Sequence, residues 1–260
     1  MVDISPLPVK LGGGNAGVTR GVKMQAAVFD VFGTVVDWRG GIMRAVADFA
    51  DRHGIDGIDA GAFADAWRRR YSPAMEQVRS GKRGFVRLDV LHYENLIETL
   101  AEFGLNPADF DAATLQDLNH AWHRLDPWPD SVAGLTAMKS QMIIAPLSNG
   151  NVSLLLNMAK RAGLPWDAIL GAEIARAYKP QPEAYLRTAE ILDLPPADIV
   201  MVAAHNSDLA AARACGFRTA FLPRPTEHGP GQTTDLRAES DWDFVAADLV
   251  DLAGRLAAGR

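Results

Sequence analysis

Three short apolar runs, each closed by polar residues, constrain the fold of this chain more than any other feature. The first ends Ala26-Ala27-Val28-Phe29 and delivers Asp30; the second covers 142–147 and delivers Ser148-Asn149-Gly150; the third covers 199–203 and leads to His205, Asn206 and Asp208. Runs without polar interruption read as strands buried on both faces, the habit of parallel sheets covered by helices. Helices expected over 131–140, 152–162, 182–192 and 209–214 alternate with these runs, and further strands are expected at 219–222 and 242–245 before an Ala/Leu-rich terminal helix. Such alternation implies an α/β fold, a Rossmann-like, mostly parallel sheet with right-handed connections.

Between Trp38 and Pro127 the pattern changes. Apolar residues recur at helical spacing in Ile42, Ala45, Val46 and Phe49, in Phe63, Ala66 and Trp67, in Leu91, Leu96, Ile97 and Leu100, and in Leu115, Leu118 and Trp122. Gly54, Gly81 and Asn106-Pro107 separate these stripes, so the segment reads as several amphipathic helices inserted after the first strand. The organisation expected is a loose arm over 1–23, a core built from 24–37 and 128–260, and a helical insertion over 38–127.

Open α/β sheets bind ligands at the carboxyl ends of their strands, so Asp30, Ser148 and Asp208 are expected around one crevice. An Asp at the end of a strand also serves as a helix cap, and Ser-Asn-Gly after a strand is commonly a turn. The ordered set decides between these uses. Asp30-Val31-Phe32-Gly33-Thr34, Leu147-Ser148-Asn149-Gly150, Ala177-Tyr178-Lys179-Pro180 and the run from Ile199 to Asp208 resemble, in chain order, the four motifs of the haloacid dehalogenase superfamily, and its L-2-haloacid dehalogenase (type II) family in particular. The resemblance spans about Met24 to Leu256 and implies an active site under a helical cap domain.

By that resemblance Asp30 is the nucleophile, Thr34 and Ser148 hold carboxylates, Lys179 keeps Asp30 ionised, and Asp208 orients Lys179 and water. Asn149, Tyr185, His205 and Asn206 would contact the substrate, with Phe32 and Trp38 as walls and Arg79 or Arg39 as the cation for its carboxylate or halogen; Arg68, Arg69, Arg70 and Arg83 are rivals of Arg79. Phosphatases of the superfamily carry a second acid where this chain has Phe32. Halide, unlike an alcohol, leaves without a proton, so the substitution favours carbon–halogen cleavage by a lone carboxylate. Magnesium-dependent members carry Gly-Asp where this chain has Ala203-Ala204, leaving too few oxygen ligands for a magnesium site. No metal and no cofactor is therefore expected. The dehalogenase pattern itself has Ser and Asn where Ala203 and His205 stand, which leaves the role of His205 open.

The expected activity is hydrolysis of short 2-haloalkanoic acids through an aspartyl ester on Asp30. The alternatives are a magnesium-dependent phosphatase acting on small molecules and a non-catalytic organic-acid binder. With 260 residues, 48% of them hydrophobic, the chain can bury one core and spare a smaller lobe. A formal charge of −6 argues against a nucleic-acid partner. No stretch suits a membrane span or a signal peptide, so a cytoplasmic location is the default expectation. Cys215, the only cysteine, excludes an internal disulfide. The partner expected is thus a small haloacid, and the sequence does not decide whether the chain forms a homodimer.

Overall fold

The computed structural model describes residues 24–259, so the arm expected over 1–23 lies outside the described residues. Strand β1 (Ala26–Phe29) and the short β2 (Val36–Asp37) precede α1 (Trp38–His53), α2 (Ala60–Arg69), α3 (Tyr71–Arg79), α4 (Leu88–Glu102) and α5 (Ala112–Asn119). A 3-10 turn (His120–His123) leads to β3 (Asp126–Pro127), then α6 (Ser131–Lys139), β4 (Ile143–Ser148), α7 (Val152–Ala162), β5 (Leu170–Gly171) and α8 (Ala172–Ala175). The chain ends with α9 (Pro182–Ile191), β6 (Ile199–Ala203), α10 (Asn206–Ala214), β7 (Arg218–Phe221), β8 (Phe244–Val245) and α11 (Leu249–Ala258).

Six strands form one parallel sheet in the order β5-β4-β1-β6-β7-β8. The strand period of two sorts its residues onto opposite faces. Ala27, Phe29, Val200 and Val202 meet the apolar sides of α6, α7 and α11 on one face, while Ala26, Val28, Ile199, Met201 and Ala203 meet α9 and α10 on the other. Both faces are covered, which is why these strands read as unbroken apolar runs.

The strand order reverses at β1: β4 lies on one side and β6 on the other, with Phe29 opposite both Pro146 and Val202. The residues following β1, β4 and β6 therefore emerge side by side at a switch point. The helices α1–α5 sit over that edge. The chain enters and leaves them through an antiparallel pair, Val36 opposite Pro127 and Asp37 opposite Asp126, which holds both crossings together. Asp37 and Asp59 cap α1 and α2 by accepting N–H groups of their first turns. The apolar cluster on the α6/α7/α11 face of the sheet runs on through Val31, Phe32 and Val35 into the interior of these helices, which includes Trp38, Trp67 and Trp122.

Two expected elements differ in extent. The strand expected at 242–245 is confined to 244–245, because the Trp242 indole is engaged by Asn206 and the Asp243 carboxylate accepts Thr219 N–H. The helix expected from 209 begins at Asn206. Among the described residues no helix is long and apolar enough to cross a membrane.

Candidate active site

Asp30 follows β1 directly, and its backbone N–H continues the ladder to Val202 O at 3.0 Å. The turn after it is anchored on every side. Trp128 Nε1 donates to Gly33 O at 2.8 Å, Arg224 Nε to Thr34 O at 3.0 Å and the Ser131 hydroxyl to Val35 O at 2.7 Å. Satisfying these buried carbonyls fixes the loop, and with it the Asp30 carboxylate. Arg224 itself forms a two-pronged pair with Asp130 at 2.7 and 2.8 Å, so the whole turn is bound to the start of α6.

Asp30 is buried, 7% exposed as a residue, and each oxygen of its carboxylate has its own partners. Oδ1 accepts from Lys179 Nζ at 3.0 Å. Oδ2 accepts the Thr34 hydroxyl at 2.8 Å and faces His205 Nδ1 at 3.1 Å. Thr34 is oriented because its oxygen accepts Ala204 N–H at 2.9 Å. Lys179 also bonds Asp208 Oδ2, and the second oxygen of Asp208 accepts the Tyr185 hydroxyl at 2.6 Å. Asn149 Oδ1 accepts Lys179 N–H at 2.8 Å, tying the segment that carries the lysine to the end of β4.

These contacts set the charges. Burial favours a neutral Asp30, but the Lys179 charge and the contacts with His205 and Thr34 outweigh it and hold the carboxyl well below the usual carboxylate range. Burial likewise opposes the Lys179 charge, and Asp208 and Asp30 overcome it, raising the ammonium above its ordinary value. Burial of His205 is outweighed by its contacts with Asp30 and Glu227 and by their charges, so its pKa is raised well above normal, which favours the imidazolium between the two carboxylates. Burial and the Asp208 charge push the Tyr185 phenol up, keeping it a donor.

A cleft of about 400 Å³ opens above this cluster, lined among others by Asp30, Phe32, Arg68, Tyr71, Met75 and Asn149. Phe32 stands edge-on to Trp122, with ring centroids 5.8 Å apart, and makes an apolar floor beside the carboxylate. His92, stacked on Trp122 at 4.3 Å, belongs to the same aromatic block; burial pushes its pKa down to about 3, so it stays neutral.

The sequence-predicted residues do not all meet. Asp30, Thr34, Lys179, Asp208, Tyr185 and His205 form one bonded cluster, with Asn149 and Phe32 at its edge. Ser148 lies beneath it, fully buried, with its Oγ accepting Gly150 N–H at 3.1 Å, so in this conformation the hydroxyl shapes the turn. Three expected contacts fall elsewhere. Arg39 turns away to pair with Asp65 at 2.7 and 2.9 Å. Asn206 is consumed by Asp235, Arg237, Glu239 and Trp242. Trp38 lies one layer behind the cleft, its indole donating to Glu227 Oε1 at 3.0 Å.

Arg79 reaches the cleft, but its guanidinium is occupied by Glu76, Lys179 O and Ser72. Arg68 differs. It lies 4.0 Å over the Tyr71 ring and 5.2 Å over the Trp38 ring, and its buried Nη1 has no hydrogen-bond partner among the described residues. Its neighbours Arg69 and Arg70 instead project outward to Glu102 and Glu98. Glu227, only 1% exposed and bonded to His205, is marked by no periodicity; it lies in the irregular stretch between β7 and β8.

A family model for haloacid dehalogenase-like hydrolases matches residues 24–216. Among solved structures, that of a defluorinating L-2-haloacid dehalogenase is 57% identical, with a TM-score of 0.89 over 90% of this chain and 95% of that one. The L-2-haloacid dehalogenase of Xanthobacter autotrophicus with chloropropionic acid covalently bound is 26% identical, with a TM-score of 0.74 over 90% of this chain and 98% of that one. (S)-2-haloacid dehalogenase 1 of Pseudomonas sp. (strain CBS-3) is 30% identical over 206 residues, 77% of this chain and 85% of that protein.

Proposed function

The chain belongs to the haloacid dehalogenase-like hydrolases, and from that premise we propose that it is an (S)-2-haloacid dehalogenase, hydrolysing short 2-haloalkanoic acids to 2-hydroxy acids with release of halide. One observation carries the reading: Asp30 is a buried, ionised carboxylate with Lys179 on one oxygen and the apolar ring of Phe32 where a phosphatase would hold a second acid. A solved relative holding chloropropionic acid covalently supports the same route.

In this reading the helices α1–α5 act as the cap and Arg68 draws in the substrate carboxylate. Asp30 Oδ1 attacks C2 from behind; the carbon–halogen bond breaks and halide leaves with the electron pair. Water then adds to Cγ of the resulting ester and frees the hydroxy acid with inverted configuration. Holding carboxylate and carbon in line can supply on the order of 7–11 kcal/mol of the barrier. Heavy-oxygen water tests the covalent step: a single turnover should place the label in Asp30, and label entering product directly would exclude the ester.

Magnesium, which other members of the superfamily use, does not fit these residues. The Lys179 ammonium bridges Asp30 and Asp208, and Tyr185 takes the remaining Asp208 oxygen, so neither acid presents the open oxygens that magnesium requires. His205, Glu227 and His228 are the one cluster among the described residues with ligand atoms all within 4.8 Å, but His205 and Glu227 satisfy one another and His228 is exposed. Halide release should therefore survive EDTA. The assay uses chloroacetate, fluoroacetate and both enantiomers of 2-chloropropionate, fluoroacetate because the 57% identical relative is a defluorinating enzyme. Release abolished by chelator, or no release alongside magnesium-dependent hydrolysis of p-nitrophenyl phosphate, would replace this reading with the phosphatase one.

The two arginines separate on the same assay. Losing a charge-assisted bond to the substrate carboxylate, Arg68→Met should lower kcat/KM roughly 10- to 100-fold, mostly through KM. Arg79→Met should cost less, since its donors are already engaged within the protein. The opposite ranking would return the anion-binding role to Arg79.

A further inference from the structure

The two-step chemistry above leaves one pair of ionisable groups without a task. His205 Nε2 is 2.9 and 3.1 Å from the two oxygens of Glu227, while its Nδ1 faces Asp30 Oδ2 at 3.1 Å. Glu227 in turn accepts the Trp38 indole N–H at 3.0 Å. It also packs onto the turn that carries the nucleophile: Gly33 has φ +89°, and a Cβ there would overlap the Glu227 carboxylate. Glycine is thus required twice at this position, for its backbone angle and for the approach of an acid from a distant loop. Burying a charged pair is costly and an apolar filler would pack as well, so the pair is better explained by chemistry than by stability.

The Asp30 oxygens have different partners. Oδ1 is held by Lys179; Oδ2 is held by the Thr34 hydroxyl and faces His205. We propose that His205, fixed by Glu227 as a positioning residue, acts with Thr34 as the donor pair for the oxyanion that forms on Asp30 Oδ2 when water adds to the aspartyl ester. The inference rests on the dehalogenase reading. In that step the water oxygen bonds to Cγ and the carbonyl pair moves onto Oδ2. The tetrahedral adduct collapses by breaking the bond from Cγ to Oδ1, which departs with the product. One water proton goes to the departing alkoxide; the other passes by way of Asp208 to solvent.

The two half-reactions make opposite demands on a cation at Oδ2. During attack on C2 the carboxylate loses negative charge, so such a donor favours the ground state. During hydrolysis Oδ2 passes from neutral carbonyl to anion, and the same donor favours the transition state. Removing it should slow the second step selectively. The charged groups around His205 are Asp30 and Glu227 in contact, Lys179 across Asp30 beside the neutral Thr34 hydroxyl, and, around Glu227, Arg68 and His228, whose Nε2 is 3.5 Å from Glu227 Oε1.

The test mixes enzyme with excess (S)-2-chloropropionate and follows chloride, 2-hydroxypropionate and the intact protein mass in parallel. For His205→Gln we expect a chloride burst equal to the enzyme present, product formation slowed roughly 10²- to 10³-fold, and an adduct carrying one propionate unit. Glu227→Gln should accumulate the same adduct to a lesser degree. The alkaline limb of its hydrolysis step should move to lower pH, because the imidazolium has lost an anionic partner. Equal slowing of both steps, or wild-type turnover without adduct, overturns the inference while leaving the dehalogenase reading in place. A wild-type chain that releases no halide overturns both. If Glu227→Gln does not fold, His205→Gln carries the test alone.

Discussion

Asp30→Asn should stop halide release altogether, a loss on the order of 10⁴-fold or more, while leaving the cleft able to bind a short organic acid. The amide keeps the shape of the carboxylate but supplies no nucleophilic anion at the end of β1. Its surroundings persist: Lys179 keeps Asp208, and Thr34 keeps Ala204 N–H. With position 30 neutral, Lys179 and Arg68 remain beside the cleft with Asp208 as the acid lining it, while His205 keeps Glu227, so the affinity for an anionic analogue should hold or rise. Halide release and calorimetric titration with propionate check the two halves. Turnover at the wild-type rate would remove the covalent mechanism. Propionate binding by a wild-type chain that turns over no haloacid would instead point to an organic-acid binder.

Much of this site could be read from the sequence because three of its parts close apolar strands. Asp30, Ser148-Asn149 and the run to Asp208 follow three neighbouring strands of a sheet covered on both faces, so unbroken hydrophobicity located the strands and their order located the crevice. Helical spacing likewise located helices between β2 and β3, since Ile42, Val46 and Phe49, or Phe63 and Trp67, bury one face of each helix.

What the sequence hid has physical causes. Strands β2 and β3 are two residues each, too short for any period, yet they join both ends of the helical insertion. Arg39 is adjacent to Trp38, but the start of α1 turns its side chain toward α2 and Asp65, and only the packing of those two helices decides this. Asn206 followed a strand as a site residue would, and serves instead to fasten 235–242. Glu227 lies in a stretch without regular structure, and its one trace in the sequence is the demand it places on Gly33, nearly two hundred positions earlier.

Lys179→Met should cost nearly as much activity as loss of the nucleophile, and for a different reason. The ammonium bridges Asp30 and Asp208, with no other cation between them among the described residues. Without it two buried carboxylates share a desolvated pocket and cannot both stay ionised. Burial, already the largest influence on Asp30 and opposed chiefly by Lys179, would then raise its pKa. In the wild type the depressed pKa keeps the nucleophile ionised throughout the neutral and mildly acidic range. In the variant the acid limb of kcat/KM should move to higher pH, with activity at pH 7 lower by about 10³-fold and partly recovered on raising the pH. Stability follows the same charges. Asp30, with its pKa depressed in the fold, contributes stability above the unfolded carboxyl value of about 4 that is lost as pH falls toward the folded value. Lys179, with its pKa raised, contributes stability below its unfolded value of about 10.4 that is lost as pH rises through the folded one. Breaking the pair should thus destabilise the variant by roughly 3–5 kcal/mol between these limits, with the deficit shrinking toward acid pH, where Asp30 takes up a proton in the variant and so relieves the unpaired charge. Urea unfolding from pH 4 to pH 9, alongside the pH–rate profile, measures both effects. An acid limb that does not move would mean that Lys179 is not what keeps Asp30 ionised.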